Sequence, residues 1–451
     1  MKNLKIVIAI LLCCGCGFYP AFTLAKPQVS NKEPNQPAVK LIEPAKLKED
    51  LDFLFKKIEE VHPNMYAYTS KEEFDLLRNK LYSQVTQPKT RINFLKLIAP
   101  TLASLKNPHT VVYDFSEYMN YIQNSGKIFP LSLSWYGGKV ILTKNYTSKK
   151  LPLGGTILEI NGEVVPKMIE RLERYYSAEG RDTYPEAIER DKILRYLFWL
   201  EYGPAESLNV QIKVIDGTIN DYEVEMTTFG EIKAKEEPNK GRNSYRHLPT
   251  YDAFLIKLDD WADWGRIAEL TEFCNEVFTE IREQKTSHLI IDLRNNPGGD
   301  WANSEVFVTY LVNKPHHLFN GANPLRFDGA VYLLIGANST SASTNFTAVI
   351  KDSRTVTIIG QEPGEPLTYY GNTTSFVLPN THLQAAVPRT LIVLPGSKND
   401  GRGIIPDHEV KQKPKDTAKG VDTVLQFTLD LIKKSDSKIS ATQEKENVVQ
   451  N

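Results

Sequence analysis

Disulfides have little to work with in this sequence. Only four cysteines occur in 451 residues, and three of them, Cys13, Cys14 and Cys16, crowd the extreme N-terminus. That scarcity excludes a disulfide miniprotein, and the length excludes a peptide hormone. Charge of one sign is missing too. Lys and Arg number 54 against 55 Asp and Glu, a net charge of −1, so no field gathers phosphate backbones or anionic membrane, and nucleic acid is not an expected partner. No apolar run is long enough to span a bilayer. HExxH, paired CxxC, GxxxxGK and GxSxG are all absent, which leaves metal, nucleotide and α/β-hydrolase chemistry without support. What is present is an ordinary globular composition, 41% hydrophobic and 24% charged, in a chain long enough for about three domains.

The N-terminal cysteines sit in an export pattern. Lys2 and Lys5 precede an apolar run from Ile6 to Phe18, and Thr23-Leu24-Ala25 resembles a small-x-small cleavage site, so residues 1–25 read as a signal peptide. Cys16 offers a second outcome, a lipid anchor after cleavage at Gly15, although Cys13 is unusual three positions before such a site. Removal of residues 1–25 takes Lys2 and Lys5 away and leaves 52 basic against 55 acidic residues, a charge of −3. Cys274 then remains alone. It falls among Ile267, Leu270, Phe273, Val277 and Ile281 at helical spacing, which reads as a buried structural thiol. The expected location is outside the cytoplasm: periplasmic, secreted or lipid-anchored at the cell envelope.

Beyond a flexible leader at 26–40, Leu47, Leu51, Leu54, Ile58 and Val61 predict an amphipathic helix stopped by Pro63. Ser70 and Glu73 form a capping box ahead of a second helix, and a third runs from Ile92 to Leu105. From Leu131 the texture turns to short β-rich runs, with Gly155-Thr-Ile-Leu-Glu-Ile-Asn-Gly162 predicting a strand and an Asn-Gly turn before a helical stretch at 165–201. From Tyr245 to Val410, helices alternate with buried strands at His288–Leu293, Val331–Ile335 and Val356–Ile359. Such alternation predicts a mostly parallel sheet covered by helices, with ligands beyond the carboxyl ends of its strands. The polar tail from Ser435 lacks periodicity and reads as disordered.

Two loops lie at that carboxyl edge. Arg294-Asn-Asn-Pro-Gly-Gly299 brings backbone N–H groups close to a helix start, where an oxyanion can be held, although a tight turn explains it equally. Gly336 to Phe346 places serines 339, 341 and 343 ahead of an apolar helix, where a nucleophile and a helix N-cap are alternative roles. A serine nucleophile needs a base. Of eight histidines, His109 stands out only as held between a helix end at Asn107-Pro108 and the β-prone run Thr110–Tyr113.

Taken in order, these segments resemble the tail-specific, or C-terminal-processing, protease family of serine peptidases. The likeness covers roughly residues 41 to 430 and rests on His288–Gly299, on Ser339-Thr-Ser-Ala-Ser343 followed by Lys351-Asp352, and on Gly403-Ile-Ile-Pro-Asp407. It implies an α/β fold: a crotonase/ClpP-like protease core with a parallel sheet at 236–434, an N-terminal helical domain at 41–120 and a PDZ-like α+β insert at 121–235. It implies Ser341 as nucleophile, with an oxyanion hole from the N–H groups of Ala342 and of Gly298 or Gly299. The lysine base of the better-known branch is missing, because its place is Pro366 and no lysine lies between Lys351 and Lys398; Thr344 also replaces the usual acidic residue. The sequence is closer to the branch of the tricorn core and the interphotoreceptor retinoid-binding modules. There Asn107-Pro-His109-Thr110 implies His109 as base, Asp400 as the orienting acid, and Asn296, Tyr370 and Asn372 as substrate-binding residues. The implied protein is an exported serine endopeptidase acting on polypeptides without metal or cofactor. The alternative is a catalytically silent member that binds peptide or a hydrophobic ligand.

Overall fold

Leu47, Leu51, Leu54, Phe55 and Ile58 are fully buried on one side of the helix Pro44–Val61, as their spacing requires. These and the following details come from a computed structural model, which describes residues 40–180, 189–236, 243–259, 261, 267–313 and 323–449. The signal peptide, all but the last residue of the leader, and Cys13, Cys14 and Cys16 lie outside the described residues. The helix Lys71–Gln84 begins with both halves of the Ser70/Glu73 capping box in place, and Arg91–Ala103 completes the helical part.

Residues 131–225 form a six-stranded antiparallel sheet from Leu131–Tyr136, Lys139–Asn145, Thr156–Ile160, Glu163–Val164, Ser207–Lys213 and Ile219–Glu225. The Asn-Gly turn behaves as predicted: Asn161 and Gly162 take φ of 51° and 77°, the pair of positive values that closes a two-residue hairpin. The helical stretch expected at 165–201 contains the helices Val165–Glu173 and Asp191–Tyr202, with 181–188 outside the described residues. The insert is thus antiparallel sheet with helices; among its described residues nothing identifies a PDZ-like peptide groove. Its apolar side chains, such as Val210 and Leu172, belong to one continuous core with Leu47 and Phe94 of the helical part. The helical part and the insert therefore pack as one body.

The second core belongs to a six-stranded sheet in the order Asn243–Leu248, Ala253–Leu258, His288–Asp292, Ala330–Ile335, Thr357–Gly360 and His408–Glu409. The first pair is antiparallel and every later pair parallel, as the helix–strand alternation predicts. Alternate residues explain the layers. Phe254, Ile256, Ile291 and Leu333 face the helices Ile267–Glu283, Trp301–Val308 and Ala342–Ser353 through Val277, Phe307 and Phe346. Leu255, Ile290, Tyr332 and Leu334 face Val424, Leu429 and Ile432 of the helix Thr423–Val449. Cys274 lies in the first of these layers, and burial raises its thiol well above the usual range.

That last helix corrects the expected disordered tail. Its apolar side is anchored on the sheet, Asp436 reaches His288 at 3.0 Å, and the helix then continues to Val449. Lys, Glu, Gln and Ala, all good helix formers, supply much of that stretch. Among the described residues no helix is long and apolar enough to cross a membrane.

A three-stranded antiparallel sheet ties the two cores together. The strand Val111–Tyr113, which begins two residues after His109, pairs with Gln384–Val393, which pairs with Thr368–Val377. Asp50 secures the same junction from within the first helix. Fully buried, it accepts from the backbone N–H groups of Asn380 and Thr381, both at 2.8 Å, and from the Thr381 hydroxyl at 2.6 Å.

Candidate active site

The strand Ala330–Ile335 feeds a turn whose polar groups are nearly all committed to the neighbouring loop. Ser339 Oγ donates to the Leu293 carbonyl at 2.7 Å, Thr340 N donates to the Asn296 carbonyl at 3.2 Å, and Thr340 Oγ1 donates to the Pro297 carbonyl at 3.1 Å. Ser343 Oγ accepts from the Trp261 indole at 3.1 Å. Ser341 is different. It occupies the N-cap place of Ala342–Ser353, yet its hydroxyl makes no capping bond, and its φ of 53° is one that a non-glycine residue rarely adopts. Such strain persists only where surrounding bonds enforce it, and here both flanks are pinned.

Gly298 makes room for this turn. A Cβ there would stand 2.6 Å from Ser341 Cβ and 2.8 Å from the Thr340 carbonyl, and its φ of 101° is in any case unsuited to other residues. Its own N–H donates to Asn296 Oδ1 at 2.9 Å. Asn296, expected to bind substrate, is fully buried and shapes this loop.

His109 arrives from the other core. Asn107 Oδ1 accepts from the His109 N–H at 3.1 Å and from the Thr110 hydroxyl at 3.0 Å, fixing the turn that leads into Val111–Tyr113. The imidazole is 3% exposed and stacks on Tyr369 with ring centroids 5.7 Å apart. Its Nε2 lies 3.8 Å from Glu365 Oε1, and its Nδ1 is buried without a hydrogen-bond partner. The other oxygen of Glu365 accepts from the backbone N–H of Ser341. His109, Ser341 and Glu365 thus line one small cavity of about 20 Å³, walled also by Arg190, Thr340 and Tyr176.

Arg190, from the insert, braces the Ser341 turn. It donates to Asn338 Oδ1 at 2.9 Å, to the Tyr176 hydroxyl at 2.9 Å and to Thr340 Oγ1 at 3.2 Å. Burial, helped by the Arg190 charge, lowers the pKa of His109 to about 4, which leaves a neutral imidazole able to accept a proton at neutral pH. Burial raises Glu365 to about 7, although the Ser341 N–H and the Arg190 charge pull the other way. With the imidazole neutral, and at a distance too long for a hydrogen bond, the His109–Glu365 contact is not an ion pair.

The remaining expected site residues lie elsewhere. Asp400, expected to orient the base, is exposed and accepts from the Arg402 N–H at 3.0 Å; the carboxylate facing His109 is Glu365 instead. The nearest sequence signal was one position away, since Glu365 immediately precedes Pro366, the place of the missing lysine. Tyr370 packs against His62 and Tyr68, and exposed Asn372 bonds Thr390 and Arg389 on the neighbouring strand; neither lines the cavity of Ser341 and His109. Among the described residues no group of three or more His, Cys, Asp or Glu could hold a metal.

Four buried groups make stability depend on pH. Burial lowers His62 and His109 to about 4 from 6.5, so the stability they contribute is present above pH 6.5 and is lost as pH falls towards 4. Burial raises Glu365 and Glu179 to about 7 and about 8 from 4.5, so their contribution is present below pH 4.5 and is lost as pH rises through those values. Between pH 4.5 and 6.5 the two pairs oppose each other; above 6.5 only the carboxyls differ between folded and unfolded chains. Tm is therefore expected to fall between about pH 6.5 and 8, and the double variant Glu179→Gln, Glu365→Gln to lose most of that slope. A wild-type Tm that is level over this range contradicts the assignment.

A serine freed from capping at the carboxyl edge of a parallel sheet shares its cavity with a buried neutral histidine and a carboxyl, the kinds of group that serine hydrolases use. Residues 253–410 match Peptidase family S41, a likeness that supports a serine-type peptidase. Solved structures with the same fold include mature CPAF, at 14% identity over 86% of this chain and 96% of that one, with a TM-score of 0.56. Mature CPAF complexed with lactacystin gives a TM-score of 0.61 at 14% identity, over 87% and 99% of the two chains. The photosystem II D1 C-terminal processing protease gives 0.48 at 15% identity, over 86% and 97%. No curated protein matches the chain.

Proposed function

We propose that the protein is an exported endopeptidase that cleaves polypeptides through an acyl-enzyme on Ser341, with His109 as general base. The observation that carries this reading is the shared cavity of Ser341, His109 and Glu365, built around a serine whose hydroxyl is withheld from its helix. In the first step Ser341 Oγ attacks the peptide carbonyl carbon while His109 takes the hydroxyl proton. Collapse of the tetrahedral adduct breaks the C–N bond, and the proton passes from His109 to the leaving amine. Water, deprotonated by His109, then attacks the ester and releases the new carboxyl end with Ser341 restored. The Gly298 N–H is held by Asn296, so Gly299 and Ala342 are the preferred oxyanion donors. Glu365 takes the role first given to Asp400, its carboxylate offsetting the imidazolium that forms beside it. Export rests on the pattern of residues 1–25, and a lipid anchor at Cys16 is the other form that pattern allows.

The test is a fluorophosphonate probe together with an unstructured protein substrate. Wild type is expected to carry the probe on the peptide containing Ser341 and to cleave the substrate. Neither labelling nor cleavage anywhere from pH 4 to 9 defeats the reading and leaves a ligand-binding member of the family.

A further inference from the structure

Glu365 is not the only buried carboxyl near the base. Glu179 follows the helix Val165–Glu173 in the insert and is 1% exposed. Its Oε2 accepts from the side-chain amide of Asn107 at 2.8 Å, and its Oε1 accepts from the backbone N–H of Tyr370 at 3.1 Å. The Tyr68 hydroxyl bonds to it as well. Asn107 is the residue whose side-chain Oδ1 accepts from the N–H of His109, and Tyr370 follows Tyr369, whose ring stacks on the His109 imidazole. The next residue tightens the same grip, because the Gly180 N–H donates to the Lys106 carbonyl at 2.8 Å. One side chain therefore holds both the backbone beneath the base and the strand that carries the ring stacked against it.

The geometry points to Glu179 as a positioning residue through which the insert sets the place of His109. The assignment rests on His109 being the base, as proposed above. Glu179 lies off the catalytic cavity and so acts through Asn107 and Tyr370. The groups facing it are Tyr68, Asn107 and Tyr370, with the charge of Glu365 acting from the far side and His62 packed behind the Tyr370 ring. Burial and that charge push its pKa up, to about 8, while its hydrogen-bond donors hold it down. If the acceptor is removed, the Tyr370 N–H is left buried without a partner, and the Asn107 amide keeps only its long 3.5 Å bond to the Tyr370 carbonyl. The turn 107–110 then shifts to repair the loss, and His109 moves with it. A catalytic group displaced by about 1 Å costs on the order of 100-fold in rate.

The experiment uses the full chain with Glu179→Ala, Glu179→Gln and Asn107→Ala. Two readouts are followed: the His109 imidazole titration by NMR, assigned with His109→Gln, and the kinetics of Ser341 labelling and peptide cleavage. In Glu179→Ala the His109 titration is expected to move up from about 4 towards 6.5 as water enters. Labelling and kcat should fall by about 100-fold with KM within about two-fold. Glu179→Gln keeps a carbonyl acceptor for one donor and should recover at least about ten-fold of the loss. A folded Glu179→Ala protein with wild-type titration and labelling, or a loss confined to KM, overturns the assignment. If Glu179→Ala does not fold, an unchanged His109 titration in both Glu179→Gln and Asn107→Ala overturns it instead. A wild type that neither labels nor cleaves defeats the peptidase mechanism, but the His109 titration still decides whether Glu179 sets its place.

Discussion

Ser341→Ala and His109→Ala are each expected to lower kcat for peptide cleavage by about 10⁴- to 10⁶-fold with little change in KM, and the double variant to be no slower than the poorer single one. The magnitude follows from the chemistry. Without the hydroxyl no acyl-enzyme forms. Without the imidazole the hydroxyl, withheld from capping, loses the group expected to accept its proton, while Glu365 Oε2 is already engaged by the Ser341 backbone N–H. The non-additivity follows from both residues serving a single proton transfer. Both variants should fold as wild type, since Ser341 caps nothing and shares only one hydrogen bond, with Tyr369, and His109 Nδ1 is unpartnered. Initial rates on a quenched peptide, alongside circular dichroism, check this. Retained activity in His109→Ala would mean that another group is the base, and an additive double variant would mean that the two do not share a step.

Gly298→Ala should strike the Ser341 turn directly. The new Cβ would sit 2.6 Å from Ser341 Cβ, 2.8 Å from the Thr340 carbonyl and 3.0 Å from the Ala342 N, in a backbone conformation that L side chains rarely adopt. Backbone strain alone costs about 1–3 kcal/mol, and the contacts must open as well. What gives way is the Ser341 turn itself, pinned through Thr340 and Asn296 to the same loop. A loss of at least about 100-fold in kcat is expected together with a lower Tm. Gly137→Ala is the control. It also has positive φ, at 56°, but a Cβ there meets nothing within 4 Å, so it should cost about 1–2 kcal/mol and leave kcat unchanged. Equal activity losses in the two variants would show that the damage comes from general strain and not from the nucleophile turn.

Much of this protein was legible in one dimension. Buried strands such as His288–Asp292 announce themselves as continuous apolar runs between helical patterns, because a parallel sheet is covered on both faces. The Ser70/Glu73 capping box and the Asn161-Gly162 hairpin are decided by bonds within a few residues, and both formed as read. The loops around Gly298 and Ser341 could be located for the same reason, as glycines and serines at strand ends. The tail beyond Ser435 was misread because its order depends on Val424, Leu429 and Ile432 docking on a sheet made elsewhere in the chain, and on Asp436 meeting His288.

The partners of the serine were a different matter. Local pattern left His109 as one histidine among eight until a family resemblance singled it out. Its approach to Ser341 depends on Val111–Tyr113 joining the strand Gln384–Val393 in one register, and on Asp50 locking the tip of that hairpin. Glu365, Arg190 and Glu179 carry no local signature at all, since each gains its role by being buried against groups from distant segments. Asp400 shows the converse, a residue well placed in sequence that the fold leaves exposed to solvent. Periodicity, capping and turn chemistry are settled between near neighbours, so the sequence alone determined the elements and the two loops at the sheet edge. Which charges share a dry cavity depends on strand register and burial across the whole chain, and that only the tertiary structure decided.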